Sequence, residues 1–520
     1  LRALKEHFGL LIPAIILIAT VIAIYPYYQY YIDPDATAYL TIASRYANGD
    51  YFKAINGYWS PWSIWLTALF IKLGYNGFVG AIIVNTLGAV GFLAISYSLF
   101  TKFKIGRIVT AIATLTLAVF LAYAIFWQSF ADLWECFFLL CVLRLFIRDD
   151  FTQRPALWVA SGFLGALAYF AKAYSMPFLI LAIFCCSYFV ANQNNRLWLK
   201  IAGVCILTMI ACSSPWIYAL YVKYGIVTTG SAGSLNMSWY LVGHPYWKPE
   251  IVYLLPPVYP DSPSYWEDPA TANGEAPHFW SSFKLFTLQI VRTGYNTLKF
   301  FQSINELSAF FAFTLVIGGG VVLFRKVRNY FDQKLFIVSL SFLLFPVGYF
   351  LVNFQGRYLW YMVPLSLLLG AVVLNRLRSD NKNHRTGLFI LFIVFCVSFL
   401  VAPALGLKEM FRKGQVQHEQ AQWLKQHGIS GSFTTNIPYG PRSQEIVRLA
   451  YFSGNPYYSL PSPAPLSGIL AEMRRYNIKY FFHFSDPDDL KCMLTDESGR
   501  VFPEVTHGKL SGLRVYLVNP

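Results

Sequence analysis

Charge is what this 520-residue sequence has least of: only 13% of its residues are Asp, Glu, Lys or Arg, whereas 56% are hydrophobic. Soluble globular domains carry about 25% charged residues, so the scarcity excludes an ordinary soluble enzyme. Cysteine is sparse too, eight in all. Cys136, Cys141, Cys185, Cys186, Cys205, Cys212 and Cys396 fall inside apolar runs, and only Cys492 lies in a polar stretch. That placement gives neither a disulfide framework nor zinc-ligand spacing, and Cys185 with Cys186 reads as small apolar packing. No His, Asp and Glu spacing is strong enough to predict a metal, so no cofactor is expected; a divalent cation remains an alternative without support. The first apolar run lacks a small-residue cleavage site of the usual kind, so a retained signal anchor is expected.

What is present is long apolar runs. Stretches of roughly 16 to 22 apolar residues, enough to cross about 30 Å of hydrocarbon as helix, fall near 8–26, 78–100, 108–126, 130–147, 156–172, 175–191, 200–221, 307–324, 333–352, 358–375 and 387–405. The expected fold is therefore a polytopic α-helical membrane protein with about eleven transmembrane helices. The net charge of +15 raises the question of a nucleic-acid partner, but the basic residues sit in short loops between the runs and form no patch, so none is expected. Lys102, Lys104 and Arg107, then Arg144, Arg148 and Arg154, then Arg196 and Lys200, then Arg325, Lys326 and Arg328, and finally Arg376, Arg378, Lys382 and Arg385 occupy alternate loops. Their bias marks those loops as cytoplasmic.

Loops 27–77 and 222–306 and the tail then face the periplasm or an equivalent lumen, with the chain in the inner membrane. Residues 1–406 read as the membrane module and 407–520 as a small periplasmic α/β domain. In the latter, "HEQAQWLKQHGI" and "PLSGILAEMRRYNI" read as amphipathic helices and "KYFFHF" and "LRVYLVN" as strands. It contains no phosphate-binding glycine pattern and no nucleophile motif; a lid or docking role is the simpler expectation.

The stretch "DPDATAYLTIASRYANGDYFKAINGYWSP", residues 33–61, places two carboxylates just after the first span. Asp33 followed by Pro34 is a good helix start, with Asp35 in the first turn facing the helix dipole. Capping explains the carboxylates but not the aromatic helix that follows, where Tyr39, Ala43 and Tyr46 share a side with Asp35. The alternative is that Asp35 meets a sugar or hydroxyl acceptor beside the lipid surface. Trp59, Trp62 and Trp65 recur every three residues, as suits interfacial anchoring; stacking on a sugar ring or prenyl chain is the sharper alternative.

These residues carry a resemblance. "DATAYLTIASRYANGDYFKAINGYWSPWSIWLTALFIKLG" resembles the first lumenal loop of the GT-C glycosyltransferases, the group that includes protein O-mannosyltransferases and lipid A aminoarabinose transferases. Asp35, Tyr39, Ile42-Ala43, Gly49-Asp50, Asn56-Gly57 and Pro61 occupy the places of that pattern. The family's usual Glu after the Asp is Ala36 here, which leaves open whether Asp33 takes its part. "FLGALAYFAKAYSMPFL" is similar to the family's Gly-Leu-Ala helix ending in Lys, here Lys172; "SSPWIYALYVKYG" is similar to its Pro-Trp helix exit. "GRYLWYMVPLSLLLG" is similar to its late Arg-Tyr helix, giving Arg357 and Tyr358, and "YWEDPA" resembles a Trp-Glu-Asp-Pro element of some bacterial members.

The resemblance implies transfer of a sugar from a polyprenyl-phosphate carrier to a periplasmic glycan, lipid or protein acceptor, with inversion. Such a reaction needs a base for the acceptor proton, and Asp35 is the candidate. The departing lipid phosphate needs fixed positive charge: Lys172 and Arg357 fall at lumenal helix ends where snorkelling to headgroups is the competing explanation. Tyr358 accompanies Arg357, and Arg292 and Lys299 are further candidates. Asp33, Tyr39, Asp50, Trp59 and Trp62 are candidate substrate contacts. Asp132 either caps its helix or faces the cavity. Glu267 and Asp268 read as surface loop carboxylates, with an acceptor contact or metal ligand as the alternative. His244, in "VGHPYW", reads as a hydrogen-bonded loop residue or a ligand. Competing functions are a polysaccharide polymerase or ligase, a transporter of lipid-linked saccharides, disfavoured by the lack of an internal repeat, and a non-catalytic assembly protein.

Overall fold

A computed structural model describes residues 2–127, 130–191, 195–243, 253–273, 277–324, 332–380, 384–484, 494–495 and 498–519. The chain divides into two compact units: Leu1–Pro26 with Ile55–Leu241 and His278–Phe411, and Tyr27–Ala54 with Val242–Pro277 and Arg412–Pro520.

The first unit is helical, and all eleven apolar runs contain helix. Among the described residues, six helical stretches are long and apolar enough to cross a membrane: Phe8–Tyr28, Gly77–Lys102, Arg107–Phe126, Arg196–Tyr224, Gln333–Phe350 and Arg385–Gln426, the last made of the helices Arg385–Ser398, Val401–Met410 and Gln415–Gln426. Phe283–Leu307 and Phe311–Leu323, bent by 117° at their junction, make a seventh if counted as one span. Pro155–Ala171, Ser175–Val190 and Met362–Leu377 are apolar but shorter, and the Asp132–Phe146 helix carries Asp132, Glu135 and Arg144 within fifteen residues. Helices approach closely where a side chain is missing. A Cβ on Gly162, in Pro155–Ala171, would strike the Cys205 carbonyl and Thr208 of the Asn195–Tyr224 helix, the small-residue contact by which membrane helices pack.

The Phe283–Leu307 helix partly reverses the usual amphipathic arrangement, although Phe300, Ile304 and Leu307 near its end are buried as well. Gln289, Asn296 and Ser303 are buried while Phe283, Ile290, Val291, Leu298 and Phe301 are exposed. A helix with its apolar stripe outward is stable where the outside is hydrocarbon.

The second unit surrounds a three-stranded sheet of β1 (Phe433–Thr435), β2 (Tyr480–Phe484) and β3 (Leu513–Leu517), in the order β1-β2-β3. β1 is parallel to β2, with Phe433 opposite Tyr480, and β2 is antiparallel to β3, with Phe482 opposite Val515. Alternation along the strands sends Tyr480, Phe482, Leu513 and Val515 to one face and Phe481 and Tyr516 to the other. The first face packs on Ala421, Leu424, Ile446 and Leu449, from helices Gln415–Gln426 and Ser443–Ser453; the second packs on Ile469, Leu470 and Met473 of helix Leu466–Arg475. Leu254 joins this second core, so part of 242–277 belongs with the tail. β1 and the Ser443–Ser453 helix were not expected from the sequence; the other two helices and two strands were.

The helix Pro34–Asn48, termed the acidic helix for Asp33 and Asp35 at its start, completes this unit. Asp33 caps it, its carboxylate accepting from the Ala36 amide at 2.7 Å. Its entry is tied to the tail: the Arg412 amide donates to the Tyr27 carbonyl at 2.9 Å, and Arg448 Nε donates to the Ile32 carbonyl at 2.6 Å.

Candidate functional site

The expected cations lie in the first unit. Lys172 follows the last turn of Pro155–Ala171 and Arg357 lies in a short 3-10 turn, Gly356–Leu359. Asp132 and Glu135, three residues apart and so on one face of their helix, both turn toward Lys172: Nζ is 2.5 Å from Asp132 Oδ1 and 3.3 Å from Glu135 Oε2. Arg357 Nε is 3.9 Å from the other Asp132 oxygen and donates to Gln355 at 2.8 Å. Ser175 donates to Glu135 at 3.1 Å. The carboxylates are 4% and 1% exposed, so two cations and two carboxylates offset one another out of water. This is not snorkelling, and Asp132 does not serve as a cap: it is spent on Lys172.

Tyr358 lies under the Lys172 ammonium, its ring centre 4.1 Å away, a cation–π contact. Its ring stacks on Tyr349 at 4.8 Å, and Tyr349 on Tyr174 at 3.9 Å. A second cationic group contains Arg292 and Lys299, each 3.5 Å from Asn353 Oδ1. Asn353 donates to the Tyr240 hydroxyl at 2.6 Å, and the Arg292 guanidinium lies 4.1 Å over the Tyr240 ring. Among the described residues, no carboxylate lies within ion-pair distance of Arg292 or Lys299, in contrast to Lys172.

The expected base lies in the second unit. Asp35, in the first turn of Pro34–Asn48, accepts a hydrogen bond from the Trp266 indole at 3.1 Å. Ten residues on, the Arg45 guanidinium, 5% exposed, grips Glu267 with Nε and Nη2 and also reaches Asp261 at 3.0 Å and Ser262 at 3.1 Å. Burial opposes the charge on Arg45, but the hydrogen bonds and charges of Glu267 and Asp261 outweigh it and hold the guanidinium above its ordinary range. The Arg45 hydrogen bond in turn holds the Asp261 carboxyl below the usual range. Asp50 pairs with Lys53 at 2.9 Å and lies 3.6 Å from Arg45.

Several expectations change. Glu267 and Asp268 are not surface carboxylates: they are 3% and 1% exposed, because Arg45 draws the Tyr265–Glu267 turn against the acidic helix. Trp59 is buried against Tyr58, while Trp62 and Trp65 are half-buried, Trp62 edge-on to Trp134 and Phe138 and Trp65 to Trp216 and Phe170. Tyr39 is buried. His244 lies outside the described residues. The sequence reading missed Arg45, Glu135, Tyr240, Tyr349 and Asn353; of these only Glu135 carried a signal, an acid one turn from Asp132 within an apolar run.

No protein-family model matches the sequence, and no curated protein matches it. Solved structures do. The chain is similar to ArnT from Cupriavidus metallidurans in the apo state, with 14% identity and a TM-score of 0.53 over 96% of this chain and 97% of that one. It is equally similar to ArnT from the same organism bound to undecaprenyl phosphate, with 13% identity, a TM-score of 0.52 and the same coverage. The likeness establishes the fold, which is that of these ArnT structures, and the long apolar helices fit the integral membrane protein expected from the sequence.

Proposed function

We propose that this chain is a membrane glycosyltransferase that moves a sugar from a polyprenyl-phosphate carrier to a periplasmic glycan, lipid or protein acceptor. The observation that carries the reading is the whole-length likeness to an ArnT that binds undecaprenyl phosphate. The basic short loops support an inner-membrane orientation with loops 27–77 and 222–306 and the C-terminus in the periplasm.

The proposed step is an inverting displacement. The acceptor oxygen attacks the anomeric carbon, the bond from that carbon to the phosphate oxygen breaks, and its electron pair leaves with the lipid phosphate. Asp35 takes the acceptor proton, the role of a positioned carboxylate base. Arg292 and Lys299, which meet no carboxylate among the described residues, offer the fixed positive charge that a departing phosphate needs, with Arg357 and Tyr358 in the same role. Lys172 has its charge met by Asp132 and Glu135 and orders the helix ends around it.

Purified protein in nanodiscs, supplied with lipid extract from cells that lack it, tests the reading. Mass spectrometry of such cells identifies the accumulated lipid-linked sugar, and the protein is expected to consume it with release of free lipid phosphate. Asp35→Asn should stay folded and lose transfer. Full activity in that variant overturns the assignment of the base, and movement of the lipid across liposomes with no covalent product overturns the enzyme.

A further inference from the structure

The loop that carries Trp266 is fixed from two sides. From the acidic helix, Arg45 holds Glu267, Asp261 and Ser262. From the tail, Leu255 and Ser459 exchange both backbone hydrogen bonds, at 2.8 and 2.9 Å, and the Tyr457 amide donates to the Pro263 carbonyl at 3.0 Å. Within the loop, the Ser264 hydroxyl accepts from the Trp266 amide at 3.2 Å and the Ser262 hydroxyl from the Tyr259 amide at 3.0 Å. Trp266 stands next to the gripped Glu267, and its indole N–H ends on Asp35 Oδ1 at 3.1 Å. So many constraints on one short turn leave the indole little freedom to leave the carboxylate.

We infer that Trp266 is a positioning residue of Asp35, and that the C-terminal α/β part of the chain serves the reaction by holding Trp266 in place through the loop 253–268. This rests on Asp35 being the base. A carboxylate on a helix's first turn rotates freely about its side-chain bonds unless something holds it, and a base works only while its lone pair faces the incoming proton. One oxygen bonded to a rigid indole N–H fixes the plane of the group. It is the logic by which a catalytic base is oriented by a third residue that takes no part in bond making. It also gives the tail a task for which it needs no phosphate-binding pattern or nucleophile.

Trp266→Phe keeps a ring and deletes the N–H. It is expected to lower kcat by about ten- to a hundredfold, part of the roughly 10²- to 10⁴-fold that a positioned acid or base contributes, while the KM for the lipid-linked donor stays within about twofold. In an Asp35→Glu background, where the carboxylate is moved by one methylene and the bond to the indole is already lost, the same substitution should change kcat by less than about twofold, the non-additivity of residues acting as a unit. Equal losses in both backgrounds, or wild-type kcat in Trp266→Phe, overturn the positioning role. Should Trp266→Phe misfold, Trp266→benzothienylalanine, which keeps the bicyclic shape and lacks only the N–H, gives the same readout. An active Asp35→Asn overturns the base itself; an inactive Asp35→Asn beside a neutral Trp266→Phe overturns only the inference drawn here.

Discussion

Lys172 Nζ sits 2.5 Å from Asp132 Oδ1, a contact between helices whose residues are 40 positions apart. Glu135 completes the pair from one turn further on. Buried ions held this way gain little over apolar packing, but removing one partner leaves a charge without compensation.

Asp132→Ala is therefore expected to destabilise the helical unit by about 3–5 kcal/mol, visible as a lower thermal midpoint and a loss of monodisperse protein in detergent. An unchanged melt would show that Glu135 alone suffices to hold the cluster.

Arg45→Met should destabilise the second unit by a similar amount, about 3–5 kcal/mol, because Glu267 stays buried with its partner gone. Limited proteolysis between 253 and 273 reads this directly: faster cleavage is expected in the variant. Protection equal to that of the unaltered protein would mean that the tail contacts alone fix the loop.

The Arg45–Asp261 contact also has a pH signature. Its hydrogen bond depresses the folded-state pKa of Asp261, so the stabilisation is present above the unfolded value, about 3.9, and is lost as pH falls through the lower folded value. Asp261→Asn should then melt closer to the unaltered protein at pH 3 than at pH 7. An equal difference at both pH values would contradict the pairing. Because Asp261 is largely exposed, the effect is small and screened by salt.

Arg292→Ala is expected to raise the KM for the lipid-linked donor by about tenfold or more, since a hydrogen bond to a charged group contributes about 1.5–3 kcal/mol. Arg292→Lys should recover part of it. A KM unaltered in both variants would remove Arg292 from the phosphate site.

Gly414 has a φ of 91°, and a Cβ there would overlap the Tyr30 carbonyl and touch Arg448. Gly414→Ala combines left-handed backbone with a backbone clash, and a loss of more than about 1 kcal/mol is expected, measured as a drop in thermal midpoint. A neutral variant would mean that the entry to the acidic helix readily shifts.

Much of this was legible because it follows from local pattern. Apolar runs marked the helices, Asp-Pro the start of the Pro34–Asn48 helix, and the aromatic run in "KYFFHF" the strand β2. Helix ends placed Lys172 and Arg357 together. What escaped was long-range. Nothing in "ASRYANGD" says that Arg45 finds Glu267, because ion pairs between residues 222 positions apart leave no periodicity. The partners of Trp62 escaped for a related reason: three-residue spacing marks a helix face but does not say that Trp134 and Phe138 lie against it. β1 is three residues long, too short to alternate visibly.

The bond from Arg448 to the Ile32 carbonyl spans 416 positions, and it bears on the order of synthesis. The acidic helix leaves the ribosome hundreds of residues before the segment that fastens its entry. Until the last quarter of the chain has been translated, Asp35 belongs to an unfinished unit with unpaired backbone and apolar side chains open to water, the condition in which large chains aggregate. A nascent chain of this design therefore depends on late completion, and a stalled ribosome leaves behind a product in which the entry to the Pro34–Asn48 helix is never fastened.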